Sequence, residues 1–214
     1  MTTKIGILGS GNVGQRLGRG FAQHGFSVMV GSRDPTKLTT WKRETAGDVQ
    51  IGTFPEAARF GDVIVLATSG AGTESAIEAA GPENFARKLV LDTTNPLVFA
   101  PGAPVGLFVG TSDSLGERVQ RRLPEAKVVK CFNSLSHTRM VDPQFHEGSP
   151  RMLICGNDEG AKREATELVR ALGWPSTLDV GGIEGARWLE ALIPLWMRVG
   201  ERLQTRDHAI AFVR

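Results

Sequence analysis

The chain has 214 residues, enough to bury roughly 70% of its unfolded surface in one large domain. Its 25 Lys and Arg against 23 Asp and Glu leave a net charge of +2, which gives no reason to expect nucleic acid or an anionic membrane as a partner. Two cysteines, Cys131 and Cys155, lie in apolar strand-like runs rather than a spaced framework, so disulfide and zinc readings are weak and a reduced, cytoplasmic setting is expected.

A β-rich run starts within four residues of Met1, which leaves no room for a secretory signal. The longest apolar stretch, LVLDTTNPLVFAPGAPVGLFVG, is broken by Asp92 and three prolines and predicts no membrane-spanning helix. Strand and helix patterns alternate: KIGILG, a helix over 12–24, FSVMVG, a helix over 35–46, VQIGTF, a helix over 55–60, and DVIVLAT. A helix over 72–80, KLVLDTT, a helix over 112–123 and KVVKCFN follow. This rhythm predicts βαβ units on a parallel sheet, hence an α/β fold.

After a loop rich in Ser, Pro and His come RMLICG, a helix over 158–172, PSTLDVG and a last helix over 183–204. Residues 1–150 read as a nucleotide-binding domain and 151–214 as an extension added to the same sheet. The last helix carries Leu189, Leu192, Ile193, Trp196, Val199 and Leu203 on one broad face, with Trp188 and Leu195 outside it and Pro194 as an expected kink. Apolar residues on more than one side point either to a homodimer contact or to packing on the sheet.

Gly9, Gly11 and Gly14 form G-x-G-x-x-G between the first strand and the first helix. This is the dinucleotide fingerprint: a tight turn, close backbone approach to a pyrophosphate, and close helix–strand packing, with the helix N-terminus facing the phosphates. Ser10, Asn12 and Val13 complete the loop. At the end of the second strand, an acid would grip the adenine ribose of NAD, but the sequence reads Gly31, Ser32, Arg33. A hydroxyl and a guanidinium suit a 2'-phosphate instead, which predicts NADP(H). Asp34 and Pro35 read as an N-cap and first helical residue, placing Lys37 in the first turn, where a cation opposes the helix dipole unless a phosphate is bound.

The remaining strand ends supply Thr68 and Ser69, then Thr94 and Asn95, then Asn133, all short polar residues sized for ribose hydroxyls and a carboxamide. His137 is the histidine nearest this edge and, with Asn133, is a candidate for a part in the chemistry; a loop histidine bonded to backbone is the alternative. His24 and His208 are placed at helix ends and His146 in a loop, in structural roles. No metal-ligand cluster or nucleophile–base pair is read, so the chemistry is assigned mainly to the cofactor.

The segments ILGSGNVGQRL, VMVGSRDPTK, DVIVLAT, LVLDTTNPL, VVKCFNSL, MLICGNDEGAK and DVGGIEGARWLEAL together resemble the F-420-dependent NADP reductase family. They resemble nearly as well the NADPH-binding domain of STEAP metalloreductases. The resemblance covers almost the whole chain. It implies a Rossmann-type, doubly wound, mostly parallel sheet with a short C-terminal α/β extension, NADPH as donor, and hydride transfer to coenzyme F-420 or a flavin such as FMN or FAD. It also implies roles for Ser32, Arg33 and Lys37 at the 2'-phosphate and for the Gly9 to Val13 loop at the pyrophosphate. The family tends to show a histidine where this sequence has Asn133, as STEAP-like sequences do. Two other functions share the N-terminal motifs: a β-hydroxyacid dehydrogenase or pyrroline-carboxylate reductase-like enzyme, and a non-catalytic NADPH sensor.

Overall fold

A computed structural model describes residues 2–146 and 148–212, so the ends of the expected 1–150 and 151–214 segments at Met1, Val213 and Arg214 lie outside it, as does Glu147. The first βαβ unit is β1 (Lys4–Leu8), α1 (Asn12–Gln23) and β2 (Ser27–Gly31). A 3-10 turn, Pro35–Leu38, leads into α2 (Thr39–Glu44), followed by β3 (Val49–Gly52), α3 (Phe54–Phe60) and β4 (Val63–Leu66). Next come α4 (Thr73–Ala80), β5 (Leu89–Asp92), a hairpin of β6 (Leu97–Val98) and β7 (Gly106–Leu107), α5 (Leu115–Arg122) and β8 (Lys127–Lys130). The chain closes with β9 (Met152–Gly156), α6 (Glu159–Ala171), β10 (Thr177–Asp179) and α7 (Ala186–Leu203).

The main sheet has the order β10-β9-β8-β5-β4-β1-β2-β3. Its strands pair in parallel except for β8 with β9, so the fold is the expected doubly wound one with an added edge. Strand alternation sends Ile5, Ile7, Val63, Val65 and Leu89 into the core under α1 and α6. Leu8, Ile64, Leu66, Val90 and Val128 face the opposite core, under α3, α4 and α5. Both faces are covered, which explains the unbroken apolar runs of the central strands.

Several boundaries differ from expectation for local reasons. Asp34 caps as predicted, its carboxylate accepting from Thr36 N at 3.2 Å, but the helix expected over 35–46 is a 3-10 turn that runs into α2 and stops at Glu44. The strand VQIGTF ends at Gly52 because Thr53 caps α3 in a reciprocal box with Glu56. The β6–β7 hairpin, hidden in a Pro- and Gly-rich run, was not anticipated, because each strand has two residues and no periodicity to detect. Of the expected apolar face of the last helix, Leu189, Ile193 and Trp196 are buried, whereas Val199 and Leu203 join Trp188 and Leu195 in solvent. Both cysteines are buried free thiols, and burial pushes Cys155 up to about 12.

A buried charge cluster ties α7 to the sheet. Lys130, fully buried, donates to Asp92 Oδ2 at 3.0 Å and to the Thr94 carbonyl at 2.6 Å, and its Nζ lies 2.7 Å from Glu190 Oε1. Glu190 also accepts the Leu115 and Gly116 amides at the start of α5, both at 2.9 Å. Burial pulls the Lys130 pKa down, but the two carboxylates more than offset it, and the net direction is upward. A raised folded pKa means that this contribution to stability is complete below about pH 10.4 and is lost as pH rises through the folded value.

Removing the cation would leave two buried carboxylates facing one another. Lys130→Met should therefore cost about 3–5 kcal/mol in urea unfolding at pH 7. A variant as stable as the parent would show that the cluster contributes little.

Candidate functional site

The strand pairing brings the candidate residues to one edge. Leu8 pairs with Gly31 on one side and Leu66 on the other, Leu66 with Asp92, and Asp92 with Lys130, so five parallel strands end level. Strand order reverses at β1, and the crevice outside the carboxyl ends at such a point is where open α/β sheets take ligands.

The first cleft, about 730 Å³, is lined by the glycine loop, by Ser32, Arg33 and Lys37, and by Thr68 and Ser69. Gly9 has φ +129° and stands against the Ala67 carbonyl, a backbone conformation and an approach that exclude a side chain. A Cβ on Gly14 would run into the Gly9 carbonyl, so this glycine is needed to seat α1 on the loop. Gly11 is different. Its φ of −77° suits any residue, and a Cβ there would meet no protein atom within 4 Å. Neither backbone strain nor packing within the chain requires glycine at position 11.

At the end of β2 the buried Ser32 hydroxyl donates to Ser10 Oγ at 3.1 Å and accepts the Asp34 amide at 3.2 Å. Arg33 and Lys37 are exposed, and neither forms an ion pair among the described residues. Asp34, between them in sequence, is turned to Thr36, whose hydroxyl and amide hold its carboxyl below the usual range. Thr68 Oγ1 lies 3.0 Å from the buried Thr73 hydroxyl, and Ser69 is exposed on the cleft wall.

The second cleft, about 560 Å³, is lined on the sheet side by Val13, Asn95, Leu97, Asn133 and His137 and on the other by Ile193, Trp196 and Met197 of α7. Gly11 faces the first cleft and Val13 the second, so the turn into α1 divides the two. Asn95 and Asn133 form a reciprocal pair: Asn95 Nδ2 donates to the Asn133 carbonyl at 2.9 Å, and Asn133 Nδ2 reaches Asn95 Oδ1 at 3.3 Å. Asn133 Nδ2 also donates to the Leu189 carbonyl of α7 at 2.8 Å, which fixes the amide orientation because a carbonyl can only accept. Phe132, just before it, is buried with φ +57°, a strained conformation for a bulky residue, held by the packing around it.

Thr94 is buried, and its hydroxyl and amide both donate to Asp92 Oδ1, at 2.6 and 2.9 Å, so its side chain is engaged by the charge cluster. His208 lies beyond α7 instead of at its end, with its ring stacked on Trp196 at 4.7 Å. His24 does cap α1, 3.2 Å from Asp142. His137 opens the 3-10 turn His137–Arg139 on the wall of the second cleft. Trp196, Met197, Arg206 and Asp207 also line this cleft, which no sequence pattern signals. Helical periodicity marks Trp196 as a packing residue and cannot say what it packs beside.

Among the described residues no cluster of His, Cys, Asp or Glu could hold a metal ion, and no helix is long and apolar enough to cross a membrane. Residues 4–96 match the family model described as NADP oxidoreductase, coenzyme F-420-dependent. The crystal structure of a candidate F-420-dependent NADP reductase from Arthrobacter sp. FB24 is 38% identical, covers 99% of this chain and 100% of that one, and superposes with a TM-score of 0.95. The F-420-dependent NADP reductase of Methanocaldococcus jannaschii is 29% identical over 97% of this chain and 96% of its own length. The metalloreductase STEAP3 of Rattus norvegicus is 31% identical over 90% of this chain, which spans only 38% of that protein. With a full-length structural counterpart of this identity, the chain belongs to the family of F-420-dependent NADP oxidoreductases.

Proposed function

We propose that the first cleft binds NADPH and the second an F-420-type deazaflavin, and that the protein transfers a hydride between them. The observation that carries this reading is the placing of two clefts side by side at one sheet edge, divided only by the turn from Gly11 to Val13. A dinucleotide laid along the strand ends would reach from the first cleft to the second.

The residues present fit the cofactor. Open space above Gly11 admits a pyrophosphate against the first amides of α1, where a side chain would intrude on the ligand and on nothing else. Arg33 and Lys37 supply unpaired cations for a 2'-phosphate, with Ser32 held between Ser10 and the Asp34 amide. Val13, Asn95 and Asn133, which line the second cleft, would seat the nicotinamide end. Bound NADPH would supply the hydride. The chain's own task is then to hold two rings in contact and keep water away, which is positioning rather than acid–base chemistry.

The deazaflavin is favoured over FMN or FAD because the relatives matching this chain along their whole length are named for F-420. A sensor would not need the second cleft. Trp188, Leu195, Val199 and Leu203, exposed along α7, support the expected self-association.

Anaerobic mixing of NADPH-loaded protein with F-420, FMN, FAD and riboflavin in turn, followed by nicotinamide absorbance, tests the acceptor. Fast oxidation with F-420 alone is expected, and turnover only with ordinary flavins would refute the assignment. For the 2'-phosphate, Arg33→Ala should weaken NADPH binding by about 1.5–3 kcal/mol, roughly ten- to a hundred-fold, while NADH affinity stays nearly constant. Equal loss for both cofactors in a binding titration would remove Arg33 from that role. The glycines give a contrasting pair. Gly11→Ala should lower NADPH affinity at least tenfold with a small change in melting temperature, whereas Gly14→Ala should lower the melting temperature of the free protein; the reverse pattern would reject the pyrophosphate assignment.

A further inference from the structure

The last described residues build a wall that neither the glycine fingerprint nor the cofactor reading accounts for. At the end of α7, Gln204 takes φ +53° and turns the chain back along the helix it has just left. The Thr205 amide donates to the Gly200 carbonyl at 3.1 Å. Trp196 Nε1 donates to the His208 carbonyl at 3.1 Å, and His208 Nε2 lies 3.0 Å from the Trp196 carbonyl, so the two residues are joined by reciprocal bonds as well as by ring stacking. Asp207 accepts from Thr138 Oγ1 at 2.9 Å and from Arg139 at 3.0 Å, which ties the returning segment to the turn that carries His137.

Gly200 shows that this path is built into the helix. A Cβ there would lie 2.8 Å from the Thr205 carbonyl oxygen and 2.9 Å from His208 Cε1, so any other residue would push the segment off α7. A mid-helix glycine is otherwise unfavourable relative to alanine, and here its absent side chain makes the groove in which the strap lies.

Thr205, Arg206 and Asp207 line the second cleft together with Val13, Asn95 and Asn133. Asp207 is engaged by Arg139 and Thr138, which hold its carboxyl below the usual range. Arg206 lies with its guanidinium 5.9 Å from the Trp196 ring and forms no ion pair among the described residues. A cation is thus held beside Trp196 on the rim of the cleft, with the adjacent Asp207 already engaged by Thr138 and Arg139. We infer that the strap Thr205 to His208 forms the outer wall of the acceptor site and that Arg206 selects a planar ring acceptor bearing an anionic side chain, a phosphate or phosphodiester, over its neutral counterpart. A guanidinium matches such a group through paired N–H donors, and its stacking on Trp196 orients it. This inference rests on the reading of the second cleft as the acceptor site.

The test compares F-420 with the neutral 8-hydroxy-5-deazariboflavin that shares its ring but lacks the phosphodiester. For the parent protein kcat/KM should be higher with F-420. Arg206→Gln should lower the ratio of the two kcat/KM values at least tenfold, mainly through KM for F-420, and Arg206→Lys should restore part of it. Gly200→Ala, which displaces the strap without touching the cation, should lower the same ratio while NADPH affinity is retained. A ratio unmoved by either Arg206→Gln or Gly200→Ala overturns the proposal. If the parent reduces neither deazaflavin, the acceptor assignment fails by itself. The strap is then read from binding of FMN and riboflavin to the NADP-loaded protein, followed by tryptophan fluorescence: preference for FMN that Arg206→Gln abolishes supports it, and equal affinity or no binding overturns it.

Discussion

A lysine with no exposure to water holds the two halves of this molecule in register. Lys130 can remain charged only because Asp92, Glu190 and the Thr94 carbonyl surround it, and these come from the end of β5, from α7 and from the loop beside the second cleft. Two carboxylates against one ammonium leave an excess of negative charge, which the Leu115 and Gly116 amides at the start of α5 meet by donating to Glu190. The cluster therefore fixes the position of α7 over the carboxyl edge of the sheet by hydrogen bonds of defined direction, which apolar contact alone would not do.

The second cleft inherits its shape from that fixation. With Glu190 anchored, the neighbouring Leu189 carbonyl stands where Asn133 Nδ2 can donate to it, and the amide so oriented pairs with Asn95. One turn further along, Ile193 and Trp196 form the opposite wall, and Trp196 in turn receives the returning strap. The bond from Asn133 to the Leu189 carbonyl joins the sheet side of the cleft to α7. The first cleft depends less on such a chain, because the glycine loop, the N-terminus of α1 and the end of β2 belong to a single βαβ unit, while Thr68 and Ser69 on its wall follow β4.

This division matches the chemistry proposed for the two clefts. Phosphate groups are recognised by backbone amides and by fixed cations, and a local motif can present both. Bringing two rings into contact requires a wall whose distance from the nicotinamide end is held by tertiary structure. The cation–aromatic pair lies on that wall, with Trp196 from the last helix and Arg206 from the segment that follows it.

The sequence by itself determined the features that rest on local constraint. The strands and helices followed from periodicity, the cap at Asp34 from its side chain and the proline after it, and the cofactor preference from the lack of an acid beside Gly31. Beyond that reach, non-local contacts decided the outcome. Thr94 ends a strand, and its hydroxyl turns to Asp92, whose other oxygen neutralises a lysine 38 positions away. Trp196 and His208 read as unrelated residues until the turn at Gln204 brought them face to face. Glu190 gave no signal at all, since its partners at α5 are 74 and 75 positions distant. Period, capping and backbone freedom act over a few residues and are written in the sequence, whereas the pairing of buried polar groups depends on which distant segments the packed sheet brings together, and only the tertiary structure decides that.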